Sequence, residues 1–222
     1  MHQEHTSMKV CTDACLFGAW TSNDSSVSEA LNVLDIGAGT GLLSLIVAQA
    51  NENAKITAIE IEQAAAKEAV TNFKLSPWND RLYMVHDAVQ NFSKQTNTTF
   101  DVIITNPPFY EADLKSPIEN KNLAAHSTAL PWDDLVVHVA KLLNNTGSFF
   151  VLTPTLRAYT MQKICEANGL ELIEEVLVHN TIKNLPIRAM QKFTKFQQVD
   201  HQTQKSNTRL PVKRTKICIK DN

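Results

Sequence analysis

The chain has 222 residues, 43% of them hydrophobic and 20% charged, with a formal net charge of −2. That is enough apolar material for one substantial core and a single domain over 1–222, and the near-neutral total gives no hint of a polyanionic partner. The longest apolar runs, around Leu42–Ala48 and Phe149–Leu152, fall far short of the roughly 20 residues that span a bilayer, and "MHQEHTSMKV" holds no apolar signal region; a cytoplasmic protein with no membrane partner is expected.

In chain order, "LNVLDI" reads as a β-branched strand, "GLLSLIVAQA" as a helix and "KITAIE" as the next strand. "IEQAAAKEAVTNFKL" has helical composition and is stopped by "SPWND". Then follow the strand "RLYMVHD", a short polar stretch, the strand "FDVIITN", a helix from about Asp133 to Leu143, the strand "GSFFVLTP" and a helix from about Thr155 to Asn168 closed by Gly169. Strands alternating with helices of this length make βαβ units, hence an α/β fold with a mostly parallel, twisted sheet covered by helices on both faces. After Gly169, "LELIEEVLV", "IRAMQKFTKF" and "RTKICIK" read as strands without long helices between them, so antiparallel strands are expected at the C-terminal end of the sheet. The expected organisation is an entrance segment over 1–20, a core over 31–180 and basic strands over 181–222.

Charge is unevenly spread. Residues 1–180 carry 11 Lys and Arg against 21 Asp and Glu, whereas residues 181–222 carry 10 against 2. A basic block on an acidic body is what a phosphate-binding surface needs, since Lys and Arg displace condensed counterions from a polyanion. A solvated extension that binds nothing would look the same. Cys11, Cys15, Cys165 and Cys218 form no CxxC pair. His2 and His5 with Cys11 and Cys15 match no zinc spacing, so free thiols and no metal are expected.

Two stretches carry chemistry. In "VLDIGAGTGLLSL", Gly37, Gly39 and Gly41 lie between a strand and a helix, where bare backbone admits a ligand at the carboxyl edge of a sheet. The spacing is GxGxG, preceded by Asp35, which suits a ligand with a cationic amine better than a diphosphate. In "FDVIITNPPFYEADL", a strand ends in Asn106, Pro107, Pro108 and Phe109. The prolines fix φ and remove N–H donors, leaving a stiff hook whose acceptors are the Asn106 side-chain oxygen and the Pro107 carbonyl. Phe109 offers a face for stacking a planar group.

The glycine stretch resembles motif I of the class I S-adenosylmethionine-dependent methyltransferases, which have a Rossmann-like fold. That resemblance implies S-adenosyl-L-methionine as cofactor, held by Asp35, Gly37, Gly39 and Gly41. It also implies an acidic residue ending the second strand on the ribose, matched by Glu60, and one after the third strand near the adenine, matched by Asp87. "NPPF" resembles the (N/D/S)PP(Y/F) motif of the members that methylate planar nitrogens, which places Asn106, Pro107, Pro108 and Phe109 at the transfer step and Asn106 beside the cofactor.

"HTSMKVCTDACLFGAW" (His5–Trp20), "AHSTALPWDDL" (Ala125–Leu135) and "LPIRAMQKF" (Leu185–Phe193) resemble segments of the bacterial valine-tRNA adenine-37 N6-methyltransferases. This likeness runs from about His5 to Phe196, with Cys11 and Ala14 standing where glycines are expected. It implies as partner the anticodon loop of valine tRNA, with the target adenine flipped into the pocket; a monomer is expected. Met8, Lys9, Thr12 and Asp13 then line or close the cofactor site, while Arg188, Lys192, Lys195 and the rest of the basic tail contact phosphates. Other readings of the same motifs are a protein-glutamine N5-methyltransferase, a ribosomal-RNA guanine N2-methyltransferase, a DNA adenine methyltransferase and a non-catalytic RNA-binding protein.

Overall fold

The computed structural model describes residues 1–4, 9–108, 130–181, 183–196 and 211–220. Its centre is an eight-stranded sheet: β1 (Asn32–Ile36), β2 (Lys55–Glu60), β3 (Leu82–His86), β4 (Phe100–Thr105), β5 (Leu143–Pro154), β6 (Leu170–Thr181), β7 (Arg188–Lys195) and β8 (Lys213–Lys220). The helices are α1 (Thr12–Ser22), α2 (Ser25–Ser28), α3 (Leu42–Ala50), α4 (Gln63–Lys74), α5 (Val89–Gln95), α6 (Trp132–Leu142) and α7 (Thr155–Ala167).

The strand order is β3-β2-β1-β4-β5-β7-β6-β8. Strands β1 to β5 pair in parallel, as the alternation with helices requires. Strand β7 runs antiparallel to both β5 and β6, so the expectation of antiparallel pairing at this end holds for β7. Strand β8 differs: it joins β6 in parallel, with Glu174 opposite Lys213 and Thr181 opposite Lys220. Because β5, β6 and β8 all point the same way, their carboxyl ends share one edge with those of β1 to β4, and β7 begins there.

Period-two alternation divides the strand side chains between two cores. Val33, Val102, Ile104 and Phe150 turn to one face, against Phe17, Val27, Leu43, Val47 and Phe73 of α1 to α4. Leu34, Ile103, Phe149 and Val151 turn to the other, against Val89, Leu135, Val139 and Met161 of α5 to α7. Strands covered on both faces read as unbroken apolar runs, which is why "FDVIIT" and "SFFVL" were recognisable. Three helices escaped the sequence reading, one of them the four-residue α2. The polar stretch after β3 forms α5, which buries only Val89 and Ser93, and the entrance segment forms α1, whose apolar residues lack a clear helical stripe. Ser93, fully buried, bonds the His138 ring at 2.7 Å and so ties α5 to α6.

Candidate active site

The carboxyl ends of four strands meet at a cavity of about 580 Å³, within the roughly 300–1,000 Å³ typical of small-molecule sites. At the end of β1 the chain turns sharply. The N–H groups of Gly37 and Ala38 both donate to the Ile59 carbonyl, at 2.9 and 3.0 Å, and this turn puts Gly37 at φ +70°. A Cβ at Gly37 would meet nothing within 4 Å; its glycine is required by the backbone angle and leaves open space on the cavity side. Gly39 lines the cavity too, while Gly41 serves packing. A Cβ there would lie 2.3 Å from the Phe73 ring, so the third glycine lets the loop rest on α4.

Glu60 ends β2, is 8% exposed and lines the cavity. Its Oε2 accepts from the Gly39 N–H and its Oε1 from the Glu62 N–H, both at 2.8 Å. The carboxylate thus fixes the glycine loop while each oxygen keeps a further lone pair for a ligand hydroxyl. Asp87, just past β3, also lines the cavity, and its Oδ1 accepts from the Ala88 N–H at 2.7 Å and the Asn91 amide at 2.9 Å.

Asp35 behaves differently from its neighbours. It is fully buried in β1 and does not line the cavity. Its Oδ2 accepts from the Ser44 N–H at 3.1 Å and the Ser44 hydroxyl at 2.7 Å, near the start of α3. Its Oδ1 has no hydrogen-bond partner among the described residues. Burial pushes this carboxyl up to about 7, against the pull of the Ser44 hydrogen bonds and with some help from the charge on Glu60. Asp35 braces the strand-to-helix turn from behind rather than reaching a ligand.

On the other side of the cavity, the Thr105 hydroxyl donates to the Ile36 carbonyl at 2.8 Å, locking the end of β4 to the end of β1. Asn106, Pro107 and Pro108 follow and line the cavity. The Asn106 side-chain oxygen is shielded from solvent, and Pro107 is buried. Phe109, the last residue of the motif, lies outside the described residues, as do Met8 and His126. Leu130 and Leu135 add apolar wall; both belong to the Ala125–Leu135 stretch but were not singled out there.

The entrance segment divides. Lys9, Val10 and Ala14 line the cavity, with the Val10 N–H donating to Gln3 at 2.9 Å. Thr12 is exposed at the start of α1, and Asp13 turns away to pair with Arg188 at 3.0 Å; neither lines the cavity. Cys11 and Cys15 are exposed free thiols, and the His2 N–H donates to Asn72 at 2.7 Å.

The basic residues also divide. Arg188 opens β7 at the carboxyl edge, paired in register with Pro154. Lys192 sits mid-strand, bonded through its ammonium to both oxygens of Asp24 at 2.7 Å and lying 5.4 Å from the Phe150 ring centroid. Lys195 pairs in register with Leu170, the first residue of β6, and is therefore at the opposite edge. Of the three residues expected to contact phosphates, Arg188 thus lies at the carboxyl edge, Lys192 is held by a carboxylate and Lys195 is the length of a strand away. The His179 Nδ1 lies 2.7 Å from the Asn184 carbonyl in the β6–β7 turn.

Glycine backbone open to the cavity, an acid at each of two successive strand ends and a polar hook at the fourth suit the residues to S-adenosylmethionine: Glu60 to ribose hydroxyls, Asp87 to the adenine side, and the hook to whatever receives the methyl group. Fold and site together are those of a class I S-adenosylmethionine-dependent methyltransferase. The methyltransferase small-domain family model matches residues 23–167. The chain is 35% identical over 206 residues to the tRNA1(Val) (adenine(37)-N6)-methyltransferase of Cytophaga hutchinsonii, covering 92% of this chain and 84% of that protein. It is 40% identical over 190 residues to the protein of the same name from Aliivibrio fischeri, covering 85% and 78%. With that of Dyadobacter fermentans it shares 47% over 154 residues, or 69% of this chain and 62% of the relative's length. Among solved structures, a predicted O-methyltransferase from Agrobacterium tumefaciens superposes with a TM-score of 0.62 at 17% identity, over 93% of this chain and 86% of that one. For a putative RNA methyltransferase from Pyrococcus horikoshii the values are 0.59 and 16%, over 87% of each; both show the fold. The chain belongs to the tRNA1(Val) (adenine(37)-N6)-methyltransferase family, within the methyltransferases of the small-domain type.

Proposed function

We propose that this protein methylates N6 of adenine 37 in valine tRNA, with the target base turned out of its stack into the cavity beside Asn106. The observation that carries the reading is that one cavity is lined by Glu60 and Asp87 and also by Asn106, Pro107 and Pro108, in a chain whose relatives bear that name.

The chemical difficulty lies in the acceptor. The lone pair of an exocyclic amino group is delocalised into the ring, so the nitrogen is a poor nucleophile while it stays planar. The Asn106 side-chain oxygen and the Pro107 carbonyl are two acceptors for its two hydrogens. Hydrogen bonds to them favour a rehybridised nitrogen whose lone pair points at the methyl group. Bound S-adenosylmethionine supplies an electrophilic methyl group on a sulfonium. No base is needed before transfer, since a proton leaves the nitrogen only after the new N–C bond has made it cationic. The prolines hold the hook in place beforehand, so little ordering remains when the base arrives. Leu130 and Leu135 keep water from the apolar side of the cavity.

The test is methyl transfer from tritiated S-adenosylmethionine by the purified protein, with unmodified valine tRNA and a release factor offered side by side. Labelled N6-methyladenosine at position 37 is the expected product. Label in the protein alone would assign glutamine methylation, and label in guanine would assign N2 chemistry.

A further inference from the structure

Helix α7 and the β6–β7 turn meet at the carboxyl edge, next to the cavity. The Thr155 N–H donates to the Ile187 carbonyl at 3.3 Å, joining the start of α7 to the turn. Trp132, two residues beyond the cavity-lining Leu130, has the Arg157 guanidinium 5.1 Å from its ring centroid. On this rim three large side chains are turned to solvent: Leu156 is 95% exposed, Leu185 87% and Tyr159 68%. Leu156 and Tyr159 are three residues apart and share one face of α7. In sequence, 155–162 and 181–187 contain Arg157 and Lys183 and not one Asp or Glu. Exposed apolar and aromatic surface interleaved with cations, without acids in the segments that form it, complements an anionic chain with planar faces more closely than it does a protein or a neutral ligand.

We propose that Leu156, Tyr159 and Leu185, with Arg157 and Lys183, form the docking surface for the unpaired nucleotides that flank the target base. Tyr159 presents a ring on which a base stacks, and the two leucines contact or wedge between neighbouring bases. Arg157 and Lys183 meet the phosphates between them. The surface lies at the cavity edge, so nucleotides resting on it deliver the adjacent base toward Asn106. This inference rests on the proposed RNA substrate.

The experiment measures unmodified valine tRNA binding by filter retention across a salt series, together with methyl-transfer kinetics and S-adenosylmethionine affinity. It compares the wild type, the triple variant Leu156→Ser/Tyr159→Ala/Leu185→Ser, and Lys183→Glu. All four positions are exposed, so folding is preserved and circular dichroism should match. Loss of a stacked base predicts a tRNA Kd and KM raised about tenfold or more in the triple variant, with S-adenosylmethionine affinity unchanged. Lys183→Glu should lessen the slope of log Kd against log salt by about one phosphate contact. A wild type that methylates tRNA beside a triple variant that binds tRNA equally well overturns the docking surface and leaves the proposed function standing. A wild type that neither binds nor methylates tRNA overturns both, and label transferred to a protein would give the stripe a protein partner instead.

Discussion

The two halves of the sheet use charge in opposite ways. At β3-β2-β1-β4, charged and polar side chains stand at strand ends and line a cavity: Glu60, Asp87 and Asn106. Strands β5, β7, β6 and β8 hold seven of the 21 Lys and Arg, and four of these seven are taken up by carboxylates. Arg188 pairs with Asp13 at 3.0 Å, Lys192 with Asp24 at 2.7 Å, Lys213 with Glu174 at 2.9 Å and Arg214 with Glu175 at 3.4 Å. A residue count reveals a field, but only pairing and position reveal which cations a ligand can use. In this protein the acids of the body neutralise basic strands that are remote in sequence.

The sharpest way to probe the first half is Asn106→Ala. Methyl transfer should fall on the order of 10²–10³-fold, while S-adenosylmethionine affinity stays within about twofold. Equal loss of both in calorimetry and single-turnover assays would show that Asn106 shapes the cavity instead of acting on the acceptor. Next in size is Glu60→Ala. Losing hydrogen bonds to a charged group, worth roughly 1.5–3 kcal/mol, should weaken S-adenosylmethionine binding about tenfold or more. An unchanged affinity would remove Glu60 from the ligand and leave it only the glycine loop.

Lys192→Ala probes the second half. The Lys192 and Asp24 side chains are 12% and 16% exposed, and breaking their pair should cost about 1–3 kcal/mol, lowering Tm by several degrees without altering tRNA affinity. Burial works against the Asp24 charge, yet the hydrogen bonds from Lys192 and Ser26 outweigh it and hold the carboxyl below its usual 3.8. The contribution is therefore present above pH 3.8 and lost as pH falls through the lower folded value. Lys195→Glu, at the far edge, should alter neither quantity. A large rise in tRNA Kd from either change would place these lysines in the RNA interface.

A further expected effect is a pH dependence. The Asp35 carboxyl, pushed up to about 7 from 3.8, keeps a proton in the folded state that the unfolded chain has released. Its contribution to stability is complete below pH 3.8, declines as pH rises, and is gone above about 7. Asp35→Asn should thus gain on the wild type across that interval in thermal unfolding. A difference independent of pH would mean that Asp35 ionises normally.

The sheet and most of its helices were legible because their signals are local. Doubly covered strands are apolar runs, and α4 and α7 are closed by the turn "SPWND" and by Gly169. The C-terminal strands were legible as strands, but the parallel docking of β8 on β6 was not, since pairing partners far apart in sequence leave no local trace. Helix α5 was hidden by the small area it buries. At the site, Gly37, Gly39, Glu60, Asp87 and Asn106 were found by their places at strand ends, and all line the cavity. Asp35 and Gly41, found by the same spacing, turned out to support the loop from within. Asp35 lies one residue before the cavity-lining run 36–40 and Gly41 one residue after it.

By itself the sequence determined the α/β alternation, the glycine turn, the acids that follow β2 and β3 and the stiff Asn-Pro-Pro hook, because each depends on backbone angles and side-chain chemistry over a few residues. Only the tertiary structure decided which of the charged residues remain available. Asp13 reaches Arg188 across 175 positions of sequence and Asp24 reaches Lys192 across 168, and folding alone sets those distances. Coulomb energy depends on separation in space and on burial, so the fate of the basic strands was written in neither their composition nor their order.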